Sequence, residues 1–277
     1  MTLEPLHVPD LLRRFNLNPQ KSLGQNFLAD HNALLKIVRD AEISPDDHIL
    51  EIGAGLGGLT RLLAVHGKAV IAVEIDRKLL PALEFVIKPF DNVRLVEGDI
   101  LKLRLEDLQL GEGFKVVANI PYYITSAVIR HLLEASVKPD RIVLTMQREV
   151  AERIVTTDEK MSLLSLSVQV YGKARIASQI PAGCFIPKPQ VDSSVLIIDV
   201  YDQPKLSGEE LKLLFRLAHA AFNQKRKMLR SSLKSMLGDG TVSVSSVLER
   251  TGIDPRRRPE TISLEDWIRL SAVVKSL

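Results

Sequence analysis

Asn119-Ile120-Pro121-Tyr122 sets an amide, a rigid turn and an aromatic ring within four consecutive residues. The set suits one difficult reaction, the methylation of an amine attached to a planar heteroaromatic ring such as adenine. Such a nitrogen is a poor nucleophile because its lone pair is delocalised into the ring. It reacts when acceptors hold its N–H bonds out of their preferred plane and stabilise the charge that develops on nitrogen. The side-chain oxygen of Asn119 can be one acceptor and the carbonyl of Ile120 or Pro121 the other, with Pro121 fixing φ and so holding that carbonyl in place. Tyr122 offers a ring face to a base drawn out of its stack. A donor with a sulfonium leaving group needs neither a metal nor a covalent nucleophile, so catalysis is positioning plus electrostatics.

A donor of that kind needs its own site. Glu51-Ile52-Gly53-Ala54-Gly55-Leu56-Gly57-Gly58 follows a strand candidate and opens a helix candidate, where glycines allow a tight turn and a close ligand. Gly53 and Gly55 are the residues expected against the cofactor. The spacing Gly53, Gly55, Gly58 also satisfies the dinucleotide fingerprint, which keeps a dehydrogenase as a rival. Glu74, ending the second strand, does not separate the two, because a carboxylate can take both ribose hydroxyls of NAD or of S-adenosylmethionine. Asp99, just past the third in Glu97-Gly98-Asp99-Ile100, can accept a hydrogen bond from the cofactor's adenine amine, with Ile75 and Ile100 over the two ring faces; standing alone it would also read as a turn residue or helix cap. The Asn119 tetrapeptide has no place in hydride transfer. It favours S-adenosylmethionine, with S-adenosylhomocysteine as product. No metal is expected, since the six histidines show no pairing at metal-ligand spacing, and Cys184 reads as a small buried hydrophobe.

These residues need a sheet to carry them. Strand candidates are His48–Ile52, Ala69–Glu74, Val93–Glu97, Lys115–Ala118, Arg141–Met146, Leu163–Val170 and Val195–Val200, with helical segments at Gly58–Val65, Lys78–Val86 and Ser126–Glu134. Alternating strands and crossovers predict an α/β fold, a mostly parallel sheet covered on both faces. No convincing helix separates the last two candidates, so a hairpin with an antiparallel member at one edge is expected. After the linker Asp202-Gln203-Pro204-Lys205 the spacing turns helical (Glu209–Ala221, Ser263–Ser276), and Ser207 with Glu210 reads as a capping box. The expected domains are 1–205, catalytic, and 206–277, a small all-helical unit.

The chain has 277 residues, 37 of them Lys or Arg and 34 Asp or Glu. From Tyr201 onward there are 14 basic against 9 acidic residues, so the positive excess sits in the helical tail. Within it Lys225, Arg226, Lys227 and Arg230 cluster, and Arg256-Arg257-Arg258 adds three more. Flexible cations of this kind suit phosphate contacts, although a solvated helix face would carry the same charges. There is no apolar run of 18 residues, no signal-peptide pattern and only one cysteine, hence no internal disulfide. A cytoplasmic protein that meets no membrane, and a monomer, are expected.

The motifs together resemble the ribosomal RNA adenine N6-dimethyltransferases, specifically the bacterial small-subunit type. Lys21-Ser22-Leu23-Gly24-Gln25-Asn26-Phe27-Leu28 is similar to that family's N-terminal cofactor motif, and Phe185-Ile186-Pro187-Lys188-Pro189-Gln190-Val191-Asp192-Ser193 to its F-x-P-x-P-x-V-x-S loop. The resemblance spans about Arg14 to Leu270. It implies a seven-stranded Rossmann-like methyltransferase sheet. Asn26 and Leu28 would touch the methionine end or ribose of the cofactor, with Gln25 close by, and Gly53, Glu74, Asp99 and Asn119 fall on other cofactor positions. Phe185 would stack on the target adenine opposite Tyr122; read from the residues alone, a hydrophobic anchor fits as well. Arg148 would face RNA, or pair with a neighbouring acid. The implied reaction is dimethylation of two adjacent adenosines in a hairpin near the 3′ end of small-subunit rRNA, in an assembling 30S subunit. The large-subunit adenine dimethyltransferases of macrolide resistance and non-catalytic RNA-binding factors on the same fold share parts of this pattern. The chain departs from the small-subunit pattern at Ile120, where Leu is common, and at Tyr123-Ile124-Thr125, where Asn-Ile-Ser is expected.

Overall fold

A computed structural model describes residues 3–156, 160–224, 226–237 and 244–276. The chain divides into two compact units, Met1–Ala151 with Ala174–Val200, and Glu152–Lys173 with Tyr201–Leu277.

The first unit begins with helix α1 (Val8–Arg14), a short strand β1 (Phe27–Leu28) and helix α2 (His31–Asp40), whose N-cap Asp30 accepts a hydrogen bond from the Ala33 N–H. Strands and helices then alternate: β2 (His48–Ile52), α3 (Gly58–His66), β3 (Ala69–Glu74), α4 (Leu80–Ile87), β4 (Val93–Glu97), β5 (Lys115–Asn119), α5 (Thr125–Glu134), β6 (Arg141–Gln147) and α6 (Arg148–Val155), of which Arg148–Ala151 belong to this unit. Further along lie β7 (Gly172–Ile180), β8 (Phe185–Ile186) and β9 (Ser193–Val200). The main sheet has the order β4-β3-β2-β5-β6-β9-β7. Pairs β4/β3, β3/β2, β2/β5 and β5/β6 are parallel, and β9 runs antiparallel to β6. Apolar strands such as Ile49, Leu50 and Ile52 of β2, or Val195 to Ile198 of β9, are buried as continuous runs, as expected where helices cover both sheet faces.

The expected α/β sheet is therefore present, with one relocation. Leu163–Val170, read as a strand, is helix α7 (Leu163–Tyr171). Its alternation of apolar and small polar residues mimics a strand, but Ser162 caps it and exchanges hydrogen bonds with Ser165. The missing strand is the next segment, β7, whose polar run Gly-Lys-Ala-Arg-Ile-Ala-Ser-Gln-Ile carried little apolar signal on the edge of the sheet. The antiparallel member, β9, lies inside that edge rather than at it.

The second unit adds α8 (Gly208–Phe222), α9 (Leu229–Leu237), α10 (Val244–Thr251) and α11 (Leu264–Lys275) to α7. Leu214, Leu217, Phe222, Leu233, Leu248 and Trp267 fill its core, with the Phe222 and Trp267 rings 5.8 Å apart. Ser207 precedes α8 as expected but makes no side-chain cap. Glu210, its expected partner, reaches instead to Lys275 at 2.7 Å. No helix among the described residues is long and apolar enough to cross a membrane.

Candidate active site and cofactor pocket

Parallel strands β2 to β5 deliver their last residues to one edge. The order reverses between β2 and β5, and a crevice at such a switch point outside the carboxyl ends of the strands is where open α/β sheets bind ligands. A cavity of about 280 Å³ opens there. It is lined by Gln25, Asn26, Leu28, Gly53, Gly55, Glu74, Ile75, Asp99, Ile100, Asn119, Pro121, Tyr122 and Phe185. Every residue expected at the cofactor and the target base thus borders one space, although the residues span 160 positions of sequence.

The glycine loop is bent as its composition requires. Gly53, Gly55 and Gly57 have φ of 75°, 59° and 81°, a region that costs other residues strain. At Gly57 a Cβ would also come within 2.9 Å of Val86, so this glycine seats the loop on α4. Gly57, not Gly58, is the third glycine that the backbone demands.

Glu74 is buried and accepts hydrogen bonds from the N–H of Gly55 (2.7 Å) and of Asp76 (2.8 Å), one on each oxygen. Those bonds fix the carboxylate, and each oxygen retains a lone pair for a diol. Burial pushes its pKa up, against the pull of these N–H donors. Asp99 is half-buried; it accepts from the Leu101 N–H at 3.1 Å and lies 3.8 Å from Lys102. Ile100 is buried, whereas Ile75 is 51% exposed at the rim.

The N-terminal motif reaches this edge through two devices. Strands β1 and β8 pair antiparallel, Leu28 against Phe185 and Phe27 against Ile186, which joins the motif to the proline-rich loop. Gln25 donates to Asp76 at 2.7 Å, and Gln20 donates to the same oxygen at 2.8 Å. Gln25 therefore uses its amide to anchor the segment. Asn26 donates to the Gly24 carbonyl at 3.1 Å, and the Asn119 amide nitrogen lies 3.4 Å from the Asn26 carbonyl. With its nitrogen turned to Asn26, the Asn119 amide oxygen makes no hydrogen bond among the described residues.

Tyr122 opens a single 3₁₀ turn, Tyr122–Ile124, closed by the Ile124 N–H donating to the Pro121 carbonyl at 3.2 Å. Its hydroxyl lies 2.9 Å from that of Ser193. Phe185 is 3% exposed and packs with Leu28, Leu34 and Ile180 while still bordering the cavity, so it is an apolar anchor and a wall at once.

Three residues without an assigned role in the sequence reading take part. Ser193 tethers Tyr122, Asp76 ties down the N-terminal motif, and Glu51 at the end of β2 lines the cavity while 1% exposed. Its Oε2 has no hydrogen-bond partner among the described residues. Burial pushes its pKa up to about 8, assisted by the charge of Glu74 and opposed by the Thr60 hydroxyl. The usable signal for Glu51 was its place: an acid in an otherwise apolar strand, directly before the glycines.

The basic residues lie elsewhere. Arg148 is exposed at the start of α6 in the first unit. In the second unit Arg226, Lys227 and Arg230 are exposed, and the Leu229 and Arg230 N–H groups donate to the carbonyls of Arg257 and Pro255. The two basic stretches are thus stitched side by side, with Arg256 and Arg258 exposed as well. Lys225 falls outside the described residues. Among the described residues no group of three or more His, Cys, Asp or Glu is placed to hold a metal ion.

A mostly parallel seven-stranded sheet with one inserted antiparallel strand, and a glycine loop and carboxylates at its switch point, defines a Rossmann-like methyltransferase. A description of the ribosomal RNA adenine dimethylases matches residues 16–275. The chain is 42% identical to the ribosomal RNA small subunit methyltransferase A of Dehalococcoides mccartyi strain CBDB1, over 94% of this chain and 90% of that protein. It is 42% identical to the protein of that name from Moorella thermoacetica, over 96% of each. Among solved structures, a dimethyladenosine transferase from Plasmodium falciparum aligns with a TM-score of 0.74 at 25% identity, covering 88% of this chain and 95% of that one. The 23S rRNA methyltransferase ErmE aligns at 0.72 and 27% identity, covering 90% and 100%. The chain belongs to the ribosomal RNA adenine dimethylase family.

Proposed function

We propose that this chain transfers methyl groups from S-adenosylmethionine to N6 of two adjacent adenosines in a 3′-terminal hairpin of small-subunit rRNA, in an assembling 30S subunit. The observation that carries the reading is the meeting of Asn119, its amide oxygen without a hydrogen bond among the described residues, and the Pro121 turn with the glycine loop, Glu74 and Asp99 around one cavity.

The residues present fit the cofactor. Glu74, held from behind by two N–H groups, would take the ribose hydroxyls. Asp99 would take the adenine amine, with Ile75 and Ile100 over the ring. Gly53, Gly55, Gln25, Asn26 and Leu28 would enclose the remainder. When bound, S-adenosylmethionine supplies a methyl group on a sulfonium, already activated. The work left to the chain is to present the nitrogen. Asn119 and the carbonyls of the Ile120-Pro121 turn accept the amine's N–H bonds and stabilise the charge developing on nitrogen. Tyr122 and Phe185 would clamp the base. Arg226, Lys227 and Arg230, with Lys225 beside them in sequence, would neutralise phosphates, and Arg148 would meet RNA from the first unit. The protein acts as a monomer in the cytoplasm on this reading.

Exposing purified small and large ribosomal subunits that lack the modification to labelled S-adenosylmethionine tests it. Label in the small-subunit rRNA is expected. Label confined to the large subunit would replace the reading with the large-subunit activity, and RNA binding without any label would replace it with a non-catalytic role.

A further inference from the structure

The second tyrosine of the turn has no role so far. Tyr123 is 65% exposed, more than any other large apolar side chain among the described residues, yet it borders the cavity. A 3₁₀ turn has three residues per revolution, so consecutive side chains diverge by about 120°. Tyr122 points to Ser193, and Tyr123 therefore belongs to another wall.

That wall is built. Gly24 closes the turn Lys21–Leu23 with φ of 60°. A Cβ on Gly24 would lie 3.3 and 3.4 Å from two carbons of the Tyr123 ring and 3.2 Å from Pro121. Glycine at this position both permits the left-handed backbone and leaves room for the ring to rest on the main chain. One side of the ring is thus backed by the N-terminal motif while most of its surface stays open. The hydroxyl makes no hydrogen bond among the described residues. An aromatic ring that borders the cavity, stays largely exposed and uses no polar contact among the described residues is arranged for stacking.

We propose that Tyr123 is a positioning residue that stacks on the nucleotide adjacent to the one in the cavity. The proposal rests on the reading that two neighbouring adenosines are the substrate. While one base is between Tyr122 and Phe185, its neighbour emerges at the rim, where Tyr123 offers the exposed ring. Holding that neighbour keeps the RNA engaged between the first and second adenosine, so Tyr123 governs how completely the pair is modified.

The test uses the full-length protein and its Y123A and Y123F variants. One arm measures kinetics on small subunits lacking the modification. The other measures fluorescence of a short RNA hairpin carrying 2-aminopurine beside the target adenosine. Stacking is sequence-tolerant and costs roughly five- to a hundredfold in affinity when an aromatic is removed. Y123A is expected to raise KM for the subunit about tenfold, to change kcat for the first adenosine by no more than about twofold, and to leave the second adenosine under-methylated. Y123A is also expected to lose the 2-aminopurine quenching, and Y123F to restore all of these. Wild-type KM and quenching in Y123A would overturn the proposal. So would equal losses in Y123A and Y123F together with weaker S-adenosylmethionine binding, which would mark a rim contact with the cofactor. A wild-type protein that leaves the subunit unlabelled would refute the substrate assignment, whereas the quenching comparison would still report on Tyr123.

Discussion

The hydroxyl of Tyr122 lies 2.9 Å from that of Ser193, a residue that is fully buried and 71 positions away in sequence. The contact joins the last residue of Asn119-Ile120-Pro121-Tyr122 to the last residue of the proline-rich loop. Burial pushes the Tyr122 hydroxyl up from its ordinary value, so it stays protonated at neutral pH. The ring that would face the base is therefore fixed at both ends, by the Pro121 turn and by Ser193. A hydrogen bond of this kind contributes about 0.5–1.5 kcal/mol. Y122F and S193A should each lower kcat/KM by about two- to tenfold, and Y122A, which removes the wall, by about a hundredfold. Methyl transfer to subunits under subsaturating RNA measures all three; equal losses in Y122F and Y122A would place the importance in the hydroxyl rather than the ring.

On the proposed reading Asn119 acts through its oxygen, its nitrogen being turned to the Asn26 carbonyl. Removing one preorganised group that stabilises developing charge costs about 10²–10³ in kcat. N119A is expected to lose that much while still binding RNA, as read by single-turnover transfer beside a filter-binding assay. Full methylation by N119A would remove Asn119 from the mechanism.

Glu51 makes stability depend on pH in a definite direction. Unfolded, its carboxyl titrates near its ordinary 4.5; folded, near 8. Between those values the folded chain holds a proton that the unfolded chain lacks, so its stability falls as pH rises from about 4.5 to 8 and levels off above. A shift of this size corresponds to a few kcal/mol. E51Q keeps the shape without the titration. Its Tm relative to wild type should rise by several degrees across pH 5 to 8. Thermal scans that stay parallel over this range would show that Glu51 is ionised in the folded chain.

Arg226, Lys227 and Arg230 predict a salt signature. Each cation that neutralises a phosphate contributes about 0.7–0.9 to the slope of log K against log salt. The triple alanine variant should weaken RNA binding and flatten that slope by about two to three, with S-adenosylmethionine affinity unchanged in calorimetric titration. An unaltered slope would make the cluster a solvated surface.

Local signals made the candidate cofactor residues that border the cavity legible in sequence. Parallel strands ending at Glu74 and Asn119, and a third ending two residues before Asp99, announce themselves by pattern, and glycines forced into positive φ announce the loop. What was hidden depends on tertiary placement. The helix at Leu163–Tyr171 has a strand's alternation, and only the Ser162–Ser165 cap decides against it. Strand β7 is an edge strand with alternating exposure, so it needs few apolar residues. The anticipated Ser207 cap is not formed, and Glu210 pairs instead with Lys275, 65 residues away. Ser193 and Asp76 act through contacts of long sequence separation, which no spacing rule detects. Tyr123 was visible only as a departure from a resembled pattern, and its exposure and its seat on Gly24 give it meaning.

The most direct measurement is nucleoside analysis of rRNA from small subunits that lacked the modification, after incubation with the purified protein and S-adenosylmethionine. The account predicts N6,N6-dimethyladenosine at two adjacent positions of the 3′-terminal hairpin. Methyl groups on another base or another adenine atom, or N6,N6-dimethyladenosine arising only in large-subunit rRNA, would contradict it.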